Sequence, residues 1–139
     1  MYLIDTNVIS EMRKGSRANR GVRSFFDRAN DEDSGLHISV ITVGELRRGL
    51  DSVRHRGDEK QARSLDAWLT EVLGGSASNV LSIGSDVAQL WGRLRVPNPE
   101  NELDKLIAAT ALIHDLTVAT RNVKHFASTG VRTINPFDE

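Results

Sequence analysis

The chain has 139 residues, 18 Lys and Arg against 19 Asp and Glu, a formal net charge of −1, and 39% of its residues from the hydrophobic set. That length suits a single domain, read as residues 1–139, and its apolar content and balanced charge exclude a disordered chain. With no cysteine there is neither a disulfide framework nor a thiolate metal site. No apolar run approaches the roughly 20 residues of a membrane-spanning helix. Met1-Tyr2-Leu3-Ile4-Asp5 lacks the basic start of a secretory signal, so a cytoplasmic protein without membrane contact is expected. Near-neutral charge argues mildly against a nucleic-acid partner.

Taken in chain order, residues 2–4 form a short apolar run that predicts a strand. Asp5 follows at once, and Thr6-Asn7-Val8-Ile9 begins a helix. Asp5 is therefore both a natural helix cap and a carboxylate at the edge of a sheet. Lys14-Gly15-Ser16-Arg17 reads as a basic turn, and Val22, Phe25, Phe26 and Ala29 make the stripe of a second helix. Residues 36–41 predict the next strand. After it, Thr42-Val43-Gly44-Glu45 matches a capping box, in which Thr42 caps and Glu45 reaches back to a backbone N–H. Val43, Leu46, Leu50 and Val53 continue as a helical stripe, and Leu65, Trp68, Leu69 and Val72 form another. Gly74-Gly75-Ser76-Ala77-Ser78 reads as a flexible connection before a strand at 80–83. Val87, Leu90, Trp91 and Leu94 mark a helix that Pro97-Asn98-Pro99-Glu100 should stop. Residues 103–113 are apolar nearly all round, which predicts a buried helix with Asp104 in its first turn. Strands at 116–119 and 131–134 complete the pattern, the first running into Thr120-Arg121-Asn122.

Strands alternating with helices imply an α/β fold, a parallel sheet covered on both faces. In such a sheet chemistry gathers outside the carboxyl ends of the strands. Asp5, Glu45 and Asp104 all fall there, as do Thr120 and Asn122. Crowded carboxylates repel, and one pKa rises unless a cation compensates. All-oxygen ligands suit hard cations, so Mg²⁺, with Mn²⁺ next, is the expected metal. His37, His55, His114 and His125 have no zinc-type spacing and are expected to be surface or strand residues. Nucleotide-binding glycine motifs are absent.

Four segments together resemble the PIN-domain ribonucleases, most closely the VapC toxins of bacterial toxin–antitoxin pairs, including their FitB-like branch. They are Tyr2 through Ser10, Ile38 through Gly49, Asp104 through Ala111, and Val118 through Phe126. The resemblance implies a three-layer sandwich, with a parallel sheet of about five strands between helices. It implies a Mg²⁺-dependent endoribonuclease that leaves 5′-phosphate and 3′-hydroxyl ends, is inhibited by a VapB-like antitoxin, and forms a homodimer. Asp5, Glu45 and Asp104 match the family's three acids, with Asp5 and Asp104 as main metal ligands and Glu45 completing the shell. Thr120 matches a supporting hydroxyl residue. Many members carry a fourth acid where Asn122 or His125 stands. Here Asn122 brings an amide and no charge.

Two other classes compete. HAD-type phosphatases also begin with an acid after the first strand, but carry a second acid two residues on, where this chain has Asn7. A PIN-like binding module that has lost catalysis is the other. For an RNA substrate, the phosphates would meet basic side chains, mostly Arg, and Arg13, Lys14 and Arg17 follow the Asp5 segment. Arg47, Arg48, Arg54, Arg56, Lys60 and Arg63 make a second group, better read as a solvated face paired with nearby acids.

Overall fold

A computed structural model describes residues 1–32, 35–76 and 79–138. The apolar runs become strands β1 (Tyr2–Ile4), β2 (Leu36–Ser39), β3 (Val80–Leu81), β4 (Thr117–Ala119) and β5 (Thr133–Ile134). The amphipathic stretches become helices α1 (Thr6–Met12), α2 (Arg20–Asp31), α3 (Val40–His55), α4 (Glu59–Ser76), α5 (Ser85–Leu94) and α6 (Glu102–Ile113). Short 3-10 turns cover Gly15–Arg17, Val123–Thr129 and Pro136–Asp138. The sheet order is β3-β2-β1-β4-β5 and every pairing is parallel. Tyr2 aligns with Leu36 on one side and with Thr117 on the other. From β1 the chain builds outward through β2 and β3, then crosses to β4 on the opposite side. The carboxyl edge of β1 and β4 is therefore the topological switch point, where a crevice opens.

Alternation along the strands sends side chains to opposite faces. Ile4 and Ala119 join Val8, Ile9, Val22, Phe25, Ile38, Leu46, Leu50 and Leu69 beneath α1–α4. Leu3 and Val118 join Ile107, Ala108, Ala111, Leu116 and Phe126 on the other face. Each fully buried large side chain of this kind contributes about 1.5–3 kcal/mol relative to leaving it in water. The all-round apolar character of α6 has a direct cause: one flank packs on the sheet while Leu106 and Ala109 pack with Val87 of α5. The three-layer architecture expected from the pattern is present.

Several boundaries differ from expectation. The strand predicted at 36–41 ends at Ser39, whose hydroxyl accepts the Ile41 N–H at 3.1 Å and turns the chain directly into α3. Val40 and Ile41 are thus helical, although their apolar character extends the strand pattern. The capping box at Thr42 to Glu45 does not form: Ser39 is the cap, and Thr42 is fully buried one turn further on. The strands predicted at 80–83 and 131–134 are two residues long, Val80–Leu81 and Thr133–Ile134. α5 ends at Leu94, ahead of Pro97, as expected. Of the connection read as flexible, residues 74–76 extend α4, while Ala77 and Ser78 lie outside the described residues. Among the described residues no helix is long and apolar enough to cross a membrane.

Candidate active site

Asp5 stands where β1 becomes α1. Its N–H still pairs with the Ala119 carbonyl at 2.9 Å, continuing the sheet, while its side chain already caps the helix. Oδ1 accepts the Thr6 N–H at 2.8 Å. Oδ2 accepts the Thr120 hydroxyl at 2.7 Å and the Asn7 amide at 3.2 Å. Thr120 is fully buried and Asp5 is 3% exposed, so this carboxylate is held from three sides in the interior of the edge. Capping and site geometry are one arrangement here, because β1 and β4 are neighbours and their first residues past the sheet face each other.

Thr6 and Asn7 extend the network. The Thr6 hydroxyl donates to Glu45 Oε1 at 2.9 Å, tying α1 to α3. Glu45 is therefore bonded to α1 at this edge, while Ser39 caps its own helix. Asn7 accepts the Arg121 N–H at 3.1 Å, locking α1 to the segment after β4. Asn122 donates its backbone N–H to Thr120 Oγ1 at 3.0 Å; its side chain is exposed and does not cap the turn that follows. Asp104 sits in the first turn of α6, where the helix dipole favours an acid, and its side chain is 21% exposed. Its Oδ2 lies 2.7 Å from Nδ1 of His125.

Burial pushes the Asp5 carboxyl above its ordinary value, and the nearby negative charges of Asp104 and Glu45 push the same way. The hydrogen bonds from Thr120 and Thr6 oppose that rise without cancelling it. The three acids are thus close enough to repel electrostatically. Among the described residues, however, no group of three or more His, Asp and Glu side chains is gathered tightly enough to hold one ion. An all-oxygen donor set under like-charge repulsion nonetheless fits Mg²⁺, which usually takes one or two carboxylates and keeps several waters. Asp5 and Asp104 are the two carboxylates of this edge that could hold such an ion.

The expected residues are therefore brought together unequally. Asp5 and Thr120 touch, Glu45 is joined through Thr6, and Asp104 interacts with Asp5 through charge. Thr6 and Asn7 are not among the site residues expected from sequence, although they fill the two places after an acid that also caps. The role of His125 against Asp104 was missed because ligand spacing along the chain carries no sign of a contact 21 residues apart. Among the cations, Arg13 shares a shallow cleft with Ser10, Glu45 and Trp68. Lys14 instead pairs with Glu11 at 2.9 Å. The second group behaves as a solvated face: Arg47 pairs with Asp66, and Arg54 with Asp51, Glu59 and Asp66.

Comparison with known proteins agrees with this fold. The family model described as "PIN domain" matches residues 2–131. The chain is 33% identical to "VapC ribonuclease Y4jK" of Sinorhizobium fredii, covering 99% of each chain. It is similar in structure to FitAcB from Neisseria gonorrhoeae, with a TM-score of 0.87, 33% identity and complete coverage of both chains. A toxin–antitoxin complex from Klebsiella pneumoniae matches with a TM-score of 0.65 at 26% identity, covering 98% of each chain.

Proposed function

The chain belongs to the PIN-domain family, and we propose that it is a metal-dependent endoribonuclease toxin held in check by an antitoxin. The observation that carries this reading is the buried Asp5 carboxylate, fixed by Thr120 at 2.7 Å and facing the like charges of Asp104 and Glu45. Such a cluster is costly to keep ionised unless a cation joins it. Asp5 and Asp104 would hold Mg²⁺ or Mn²⁺, with Glu45 beside them. When bound, the metal supplies positive charge against a phosphate and makes water easier to deprotonate.

The protein's own groups do the rest. Thr120, Asn7 and the Thr6 N–H keep the Asp5 carboxylate at one orientation, so little reorganisation is needed when substrate arrives. Thr6 holds Glu45 toward the same edge, where its carboxylate can orient an attacking water. Arg13, in the cleft beside Glu45, is placed to meet an RNA phosphate. Products with 5′-phosphate and 3′-hydroxyl ends are expected. An HAD-type phosphatase is disfavoured because Asn7 stands in place of the second acid and is committed to Asp5 and Arg121.

The partner reading rests on a groove. Ile9 and Met12 of α1, Phe26 of α2, Ile38 of β2, and Trp68 and Val72 of α4 line an open, mainly apolar depression. Within the stripe of α2, Val22 and Phe25 are core while Phe26 is left to the groove. An antitoxin segment with apolar anchors suits that surface, and a homodimer remains the expected assembly.

The test is cleavage of RNA by the purified full chain with and without Mg²⁺, beside Asp104→Ala. Cleavage should need the ion, and Asp104→Ala should abolish it while the circular dichroism spectrum is unchanged. Unaltered cleavage by the folded variant would remove Asp104 from the reaction.

A further inference from the structure

We infer that His125 is the positioning residue for the Asp104 carboxylate. The inference rests on the reading of Asp104 as a metal ligand. Asp5 is fixed by Thr6, Asn7 and Thr120. Glu45 is fixed by the Thr6 hydroxyl. Asp104 has one recorded side-chain partner among the described residues, the His125 ring at 2.7 Å.

The chemistry of the pair sets its direction. An ionised carboxylate can only accept, so Nδ1 carries the proton and donates to Oδ2. The separation is at the short end for an N–H to carboxylate bond, as expected when the acceptor is charged. The donor is well placed to impose an orientation. His125 lies in the Val123–Thr129 turn, whose Phe126 is buried in the core against α6, and its N–H bonds to the Asn122 carbonyl at 2.9 Å. The ring is thus mounted on a segment packed onto the helix that carries Asp104. Without it, the Asp104 carboxylate would turn about two side-chain bonds in a partly solvated position.

A carboxylate in place of His125 would add negative charge beside Asp104. The imidazole replaces that repulsion with a donated hydrogen bond. The site therefore holds three acids, each with its own donor.

The experiment measures Mn²⁺ binding to the full chain by calorimetry for wild type, His125→Asn, His125→Ala and Asp104→Ala. It is accompanied by ¹⁵N imidazole spectra of the metal-free wild type. An asparagine amide N–H can stand where Nδ1–H stands. His125→Asn should keep the dissociation constant within about threefold, and His125→Ala should weaken it about tenfold or more, the scale seen when a ligand loses its orienting partner. The spectra should show Nδ1 protonated. An alanine variant that binds as wild type does, an asparagine variant as weak as alanine, or a bare Nδ1 overturns the assignment. Asp104→Ala separates the levels. If it loses Mn²⁺ while His125→Ala keeps it, only the role of His125 fails; if it binds normally, the ligand reading of Asp104 fails and takes the inference with it.

Discussion

At the scale of single residues, the site depends on donors aimed at carboxylates, and Thr120 is the clearest case. Its hydroxyl donates to Asp5 at 2.7 Å and accepts the Asn122 N–H at 3.0 Å, both in a fully buried position. Thr120→Val keeps the shape and removes both bonds. The Asp5 carboxyl then loses the largest influence that opposes its burial and rises further above its usual range. Leaving a buried carboxylate oxygen and an amide without this partner should cost about 1–3 kcal/mol in stability. RNA cleavage should fall about 10–100-fold, as for other residues that orient a metal ligand. Thr120→Ser should recover most of both, which steady-state kinetics and thermal melting of the two variants will check. Asp5 itself was legible in the sequence because an acid directly after a strand has few other places to go. Glu45 was also legible, from its place just past the second strand, although the capping box read there does not form. The Thr42 to Glu45 spacing imitates a capping box, whereas the cap is Ser39 and the true partner of Glu45 is Thr6, 39 positions away.

At the scale of elements, junctions matter more than interiors. The helix interiors and their stripes followed from apolar spacing, which is a local property. The strand ends did not, because Val40 and Ile41 are as apolar as Ile38 and only the Ser39 hydroxyl turns the chain. The same dependence on one polar group holds at the α1–α2 junction. Glu11 accepts from Lys14 Nζ at 2.9 Å and from the N–H of Asn19, the cap of α2, at 2.8 Å. The Lys14 contact, then the Asn19 hydrogen bond, holds the Glu11 carboxyl below its ordinary value of 4.5. A depressed carboxylate stabilises the fold above its unfolded pKa, and that contribution is lost as pH falls through the lower folded value. Wild type should therefore lose stability on acidification below about pH 4.5. Glu11→Gln should begin less stable at neutral pH and show a flatter acid limb. Melting temperatures from pH 7 to pH 3 measure this, and parallel curves for the two proteins would count against the junction.

At the scale of the molecule, the sheet order explains why distant acids meet. Asp5 follows β1, Thr120 follows β4, and these strands are neighbours at the point where the chain changes direction across the sheet. Glu45 enters from the helix after β2, the other neighbour of β1. This much was legible, because strand–helix alternation specifies the parallel sheet and its functional edge together. What was not legible is every contact made between side chains on different elements, His125 with Asp104 above all. The near-zero net charge takes on a different meaning in this light. It hides an acidic edge around Asp5, Glu45 and Asp104 and a surface of mixed charge elsewhere, and it gives no ground for excluding RNA.

The most direct test of the central claim is RNA cleavage and thermal stability measured together for wild type and Asp5→Asn, with Mg²⁺ and with a chelator. The substitution keeps the side-chain shape and removes one buried charge from the repelling set. Cleavage by wild type should require Mg²⁺, and Asp5→Asn should be inactive in either condition. Mg²⁺ should raise the melting temperature of wild type and leave that of the variant unchanged. Cleavage that persists in Asp5→Asn, or wild-type cleavage indifferent to the chelator, would contradict a carboxylate-held cation as the centre of this protein's chemistry.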